Sequence, residues 1–289
     1  MSTHPNDQLL EIIARGDTLS AVHYLVHQEV TDEGALALNK ALYTHSENAH
    51  QVVEDARVRL HKMLPTLSGD LLATVLFNLG CIALSQDDVV EAVTRFQEVL
   101  ELQPENTMAR HNLAYSNELL AEFQEARADY ERVLSENPTQ VLTRLNLALL
   151  DLMETDYETG LNTLHELHAA DPNNLGLTLY LCRGLLLRGT THDLEEVHEL
   201  TESTPGAQDF LDLRECRAHA LYLLGDTEGA DKAFSLLLEE NPDSVFALTG
   251  RIKMLAIKND FETLSEYVQR LHELSPMEDA TGLWKAVNE

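Results

Sequence analysis

The chain has 289 residues, 44% hydrophobic and 6% aromatic, with 49 acidic against 20 basic side chains for a formal charge of −29. That apolar fraction is enough for a continuous core and argues against disorder, while a body this acidic repels nucleic acid and anionic membranes at long range. The acidity has two readings, solubility in a salty cytoplasm and attraction to a basic partner, and composition does not choose between them.

The start, Met1 to Asp7, lacks the cationic residues and apolar run of a signal peptide. No stretch reaches 18 consecutive apolar residues, so no membrane span is expected. Cys81, Cys182 and Cys216 are far apart and outside any CxxC pair, which predicts reduced, half-buried thiols and a cytoplasmic location. Residues 1–69 form a first region. Gln8–Ile13, Leu19–His27, Ala35–Tyr43 and Val52–Leu64 have the apolar spacing of amphipathic helices. Gly34–Pro65 reads as a degenerate repeat, with Asn39 at its position 6 and Ala41 at its position 8.

From residue 70 the chain is periodic. Pro104, Pro138, Pro172, Pro205, Pro242 and Pro276 fall at nearly constant spacing, mostly at polar helix ends such as Glu136-Asn137-Pro138. Each proline stops one helix and presets the next. Count repeats from Ala73, Thr107, Val141, Leu175, Leu211 and Val245. Positions 4, 7, 8 and 11 then form one helical stripe and positions 20, 24 and 27 a second. Position 8 is small in Gly80, Ala114, Ala148, Cys182 and Ala218, and position 20 in Ala92, Ala126, Gly160 and Ala230. Small residues there let the two helices approach closely. Position 24 is aromatic in Phe96, Tyr130 and Phe234.

This pattern resembles the tetratricopeptide repeat. The resemblance implies an all-α fold, a right-handed solenoid of about six repeats over 70–276, capped by a helix over 277–289 through Leu283, Trp284 and Val287. It also implies a concave groove lined by positions 2, 5, 6, 9 and 13 of each repeat's first helix. Position 6 is Asn78, Asn112 and Asn146, a row of amides able to pair with a ligand backbone or with the adjacent helix. Phe77, Met108, Leu142, Leu145, Leu149, Met153, Leu179 and Leu187 make the rest of that groove oily, and Tyr115 and Tyr180 add rings. Arg183, His219, Arg251 and Lys253 add positive charge further along. The residues in the places of the family's carboxylate clamp (Phe77, Cys81, Asn112, Leu142 and Asn146) match it only at Asn112, so no such clamp is expected.

His23 with His27, and His165 with His168, are spaced to share a helix face, but no third metal ligand is fixed. There is no P-loop, GxGxxG, GxSxG or kinase motif. The sequence therefore predicts a non-enzyme without cofactor or metal: an adaptor or chaperone-like module that binds an extended or helical peptide. A monomer is expected. The alternatives are a scaffold self-assembling through Trp284 and the terminal helices, or a regulatory subunit of a separate enzyme.

Overall fold

The computed structural model of the protein describes residues 5–28, 47–154 and 156–275. The expected helix over Ala35–Tyr43, Asn39 and Ala41 of the degenerate repeat, and the capping helix with Trp284 lie outside them. Among the described residues every regular element is helical, so the chain is all-α as the periodicity requires. The first helices are α1 (Pro5–Ala14), α2 (Thr18–His27) and α3 (Glu47–Met63). Two hairpins follow, α4 (Gly69–Ser85) with α5 (Val89–Leu102) and α6 (Thr107–Leu119) with α7 (Phe123–Glu136). Next come α8 (Val141–Met153), α9 (Tyr157–Ala170), α10 (Leu175–Arg188) and α11 (Thr191–Ser203). The last four are α12 (Leu211–Leu223), α13 (Thr227–Glu240), α14 (Val245–Lys258) and α15 (Phe261–Leu274). In each repeat the first helix is called A and the second B; no helix among the described residues is long and apolar enough to cross a membrane.

One device ends helix A in five of the repeats and, except at Glu122, a side chain then begins helix B. Position 15 is left-handed in Asp87, Ala121, Gly189, Gly225 and Asn259, with φ between 56° and 79°. A left-handed residue there closes the last helical turn. Position 16 then caps helix B: Asp88, Asp156, Asp226 and Asp260 each accept from the backbone N–H three residues on, at 3.0–3.2 Å. Thr190 does the same within a full capping box with Asp193. Ala121 is the poorest fit, because a Cβ in the left-handed region costs about 1–2 kcal/mol. Ala121→Gly should therefore raise stability by about 0.5–1 kcal/mol after the unfolded-chain entropy of glycine is deducted. A urea unfolding midpoint that falls instead would contradict this account of the turn.

The chain divides into two compact units, residues 1–147 and 148–289. In the first, α1 and α2 pack on each other and on α3, and α2 and α3 pack on α4 ahead of the two hairpins. Their core joins Leu9, Ile13 and Leu25 to Phe77, Ile82 and Phe96. A Cβ on Gly80 would lie 2.6 Å from the Phe96 ring, which explains the small residue at position 8. Glu91 ties α3 to α5: Arg57 Nη1 and His61 Nε2 each lie 2.9 Å from its carboxylate.

In the second unit successive helices from α9 to α15 pack in order, with α10 also on α12 and α12 on α14. A Cβ on Gly160, at position 20, would lie 2.7 Å from the carbonyl oxygen of Ala148; backbone approaches side chain space there. The last repeat departs from the pattern, with the bulky Ile252 at position 8. Its Gly250, at position 6, faces the preceding repeat, where a Cβ would lie 2.3 Å from the Phe234 ring on α13. Buried Asp193 receives a bidentate pair from Arg188 at 2.9 and 2.5 Å. That guanidinium holds the Asp193 carboxyl down to about 2.

Candidate functional site

The structure turns the asparagine row inward. Asn78 is fully buried, and its amide donates to the carbonyls of Leu25 and Gln28, both at 2.7 Å. These lie at the C-terminal end of α2, where carbonyls lack partners within the helix. Asn112, buried, donates to Cys81 Sγ at 3.9 Å. Asn146, half-buried, donates to Tyr130 Oη at 3.2 Å, and Tyr130 donates in turn to Glu118 at 2.9 Å. All three amides reach back to the preceding helices, which is the adjacent-helix alternative rather than an open ladder. Burial pushes the carboxyl of Glu118 up, against the hydrogen bond from Tyr130, and pushes the Tyr130 phenol up as well.

Other groove residues divide in the same way. Phe77 is buried edge-on to Phe96, ring centroids 5.7 Å apart, and Leu145 and Leu179 are buried too. They are core rather than groove, because position 5 meets the neighbouring helix once repeats stack. The cysteines, expected half-buried, are all buried thiols outside any disulfide. Met108, Leu149 and Tyr180 are half-buried. Tyr115, Leu142 and Arg183 are open. The paired histidines hold each other: His27 Nδ1 donates to the His23 carbonyl at 2.9 Å.

The open apolar residues recur at position 13, in the last turn of the A helices from the second repeat on, Ser85 standing there in the first. Leu119 is 51% exposed in the first unit; Met153, Leu187, Leu223 and Ile257 are 59%, 63%, 45% and 54% exposed in the second. Met153 and Leu187 were expected in the groove; Leu119, Leu223 and Ile257 were not, because an aliphatic at helical spacing reads equally as core. Single exposed leucines are ordinary, but the same register position left bare repeat after repeat is a surface kept for contact.

Position 9, one turn before position 13, changes character along the chain. It is Tyr115 and Leu149, then Arg183, His219 and Lys253. Arg183 Nη2 stands 3.7 Å from Asp212, both well exposed. His219 lies between Tyr222 and Phe246, ring centroids 6.5 and 6.4 Å away. Burial, and then the Lys253 charge, hold its imidazole below the usual histidine range. The Lys253 ammonium sits 5.2 Å over the Tyr222 ring, within cation–π reach.

Comparison with known proteins agrees with this architecture. Residues 109–140 and 217–244 match family models described as tetratricopeptide repeat. The structure is similar to a tetratricopeptide repeat protein from Parabacteroides merdae, at 18% identity over 88% of this chain and 99% of that one, with a TM-score of 0.65. Similar too is Pseudomonas aeruginosa PilF, at 17% identity over 74% and 96% of the two chains, TM-score 0.61. The APC/C hetero-tetramer Cut9–Hcn1 matches at 16% identity and TM-score 0.60 over 98% of this chain and 58% of its own. At such identities the likeness is one of fold. A comparison with curated protein sequences finds no match.

Proposed function

We propose that this chain, a tetratricopeptide-repeat protein by its fold and by its two matched repeats, is a non-enzymatic adaptor or chaperone-like module. It binds a peptide segment of another protein on the exposed face of its A helices. The observation that carries the reading is the bare aliphatic row at position 13. Apolar side chains left in water on successive helices have a favourable place to go only when a partner covers them. In the second unit Leu149, Tyr180 and Arg183 supply the rest of the contact, and in the first unit Tyr115 and Leu142 supply theirs. Phe77, Asn78, Asn112 and Leu145 serve it indirectly by fixing how neighbouring helices meet. The chain acts as a soluble cytoplasmic monomer in this reading.

A photoreactive residue placed at Tyr115, Leu187 or Ile257, and at Leu102 or Leu236 on B helices, tests the assignment in cells. Adducts with another protein should form from the three A-helix positions and not from the B-helix pair. A partner captured only through Leu102 or Leu236 would overturn it, and adducts between copies of this chain would point to self-assembly instead.

A further inference from the structure

Three A helices of the second unit repeat one pair of side chains. A base at position 9 is followed one turn later by an exposed aliphatic at position 13: Arg183 and Leu187 on α10, His219 and Leu223 on α12, Lys253 and Ile257 on α14. Residues four apart share a helix face, so each helix sets a base beside an aliphatic. On α6 and α8 the position-9 residue is Tyr115 or Leu149, so the base belongs to these three helices.

Charge is segregated in the same direction. The helices α10, α12 and α14 carry two, two and three Lys or Arg in turn against two acids, both on α12. The helices α11, α13 and α15 carry five, four and three acids against two bases. Most A-helix bases turn inward to B-helix carboxylates: Arg214 to Glu240 at 2.6 Å, Arg217 to Glu202 at 2.5 Å, Arg251 and Lys258 to Asp231. Arg183 and Lys253 do not. Arg183 makes a long, exposed contact with Asp212 and lies beside Glu215 and the Cys216 thiol on the same A-helix face, and Lys253 forms no ion pair among the described residues, facing the Tyr222 ring instead. The acids on this face are Asp212 and the half-buried Glu215.

We propose that the face formed by α10, α12 and α14 selects a protein segment in which carboxylates alternate with large aliphatic side chains. This rests on the A-helix face being the binding surface and names what it takes. Packed helix axes lie about 8–10 Å apart, and a chain in the polyproline II conformation advances about 3.1 Å per residue with three residues per turn. A segment bound in that form therefore presents an acid on one face at every third residue. The net charge of −29 opposes approach but does not reverse the choice. At physiological salt, charges beyond about 8 Å are largely screened, so the Arg183 and Lys253 cations in contact, with His219 between them as a neutral hydrogen-bonding ring, decide which side chain is accepted.

The test uses the full chain and three labelled synthetic peptides of about 15 residues, built from Glu-Leu-Ser, Gln-Leu-Ser or Glu-Ser-Ser repeats, read by fluorescence anisotropy. The Glu-Leu-Ser peptide should bind at least ~10-fold more tightly than either of the others. The double variant Arg183→Glu with Lys253→Glu, checked for unchanged helicity, should erase the advantage of Glu over Gln. Equal binding of the Glu and Gln peptides, or an advantage that survives the double variant, would overturn the proposal. If the Gln peptide binds as tightly and is lost on Leu187→Ser, the groove reading stands and only this inference falls. If no peptide binds, both fall.

Discussion

Phe96→Ala is expected to destabilise the first unit by about 3–5 kcal/mol, the usual range for removing a buried phenylalanine. Phe96 is fully buried, meets Phe77 edge-on, and lies where the Gly80 Cβ would be. That last contact sharpens the prediction. Gly80→Ala alone gains about 1 kcal/mol of helix propensity but overpacks against the ring, at about 1–3 kcal/mol, so it should be mildly destabilising. In the Phe96→Ala background the ring is gone, and the same change should stabilise by about 1 kcal/mol. The double-mutant cycle should show a coupling of about 2 kcal/mol. Repeat arrays unfold in parts, so hydrogen exchange resolved to α4, α5 and α6 is the suitable readout. Additive effects would show that position 8 is small for some other reason than the ring opposite.

Much of the fold was legible because its signals are local and repeated. The prolines gave the register, and the small residues Gly80 and Gly160 marked close approach, as the packing bears out. The last repeat was less legible, since Ile252 sits where a small residue was expected, and Gly250, two residues earlier, is small for a contact with the Phe234 ring of the preceding repeat. Only the packing of one repeat on the next shows that contact. The left-handed position 15 was hidden because three of its five occupants, Asp87, Ala121 and Asn259, are not glycine.

The candidate site was read only in part. Asn78, Asn112 and Asn146 have the right period for a ligand-facing row, but period gives the face of a helix and not what lies against it. The carbonyls of Leu25 and Gln28 that hold Asn78 are some 50 residues away in sequence, and nothing in the repeat pattern announces them. Leu223 and Ile257 were missed for the opposite reason: an aliphatic at helical spacing reads as core until its exposure is known. Arg214 and Arg217 stand at positions 4 and 7 of the core stripe, and their carboxylate partners on the B-helix side explain how charge is accepted there.

The second large effect is on binding. Leu187→Ser and Ile257→Ser together remove two of the most exposed aliphatics of the second unit and should leave the melting curve nearly unchanged, since neither side chain is core. Covering a leucine or isoleucine fully is worth about 1.5–3 kcal/mol. If the partner covers the exposed half or so of each, the pair contributes about 1.5–3 kcal/mol, or roughly 10- to 100-fold in affinity. Leu236, exposed on α13, gives a matched B-helix control. The direct measurement is titration calorimetry of the full chain with the partner recovered by photocrosslinking, against the double variant and Leu236→Ser. The A-helix account predicts roughly 10- to 100-fold weaker binding for the double variant and an unchanged affinity for the control. A double variant that binds as tightly as the parent, with affinity lost in Leu236→Ser, would contradict it.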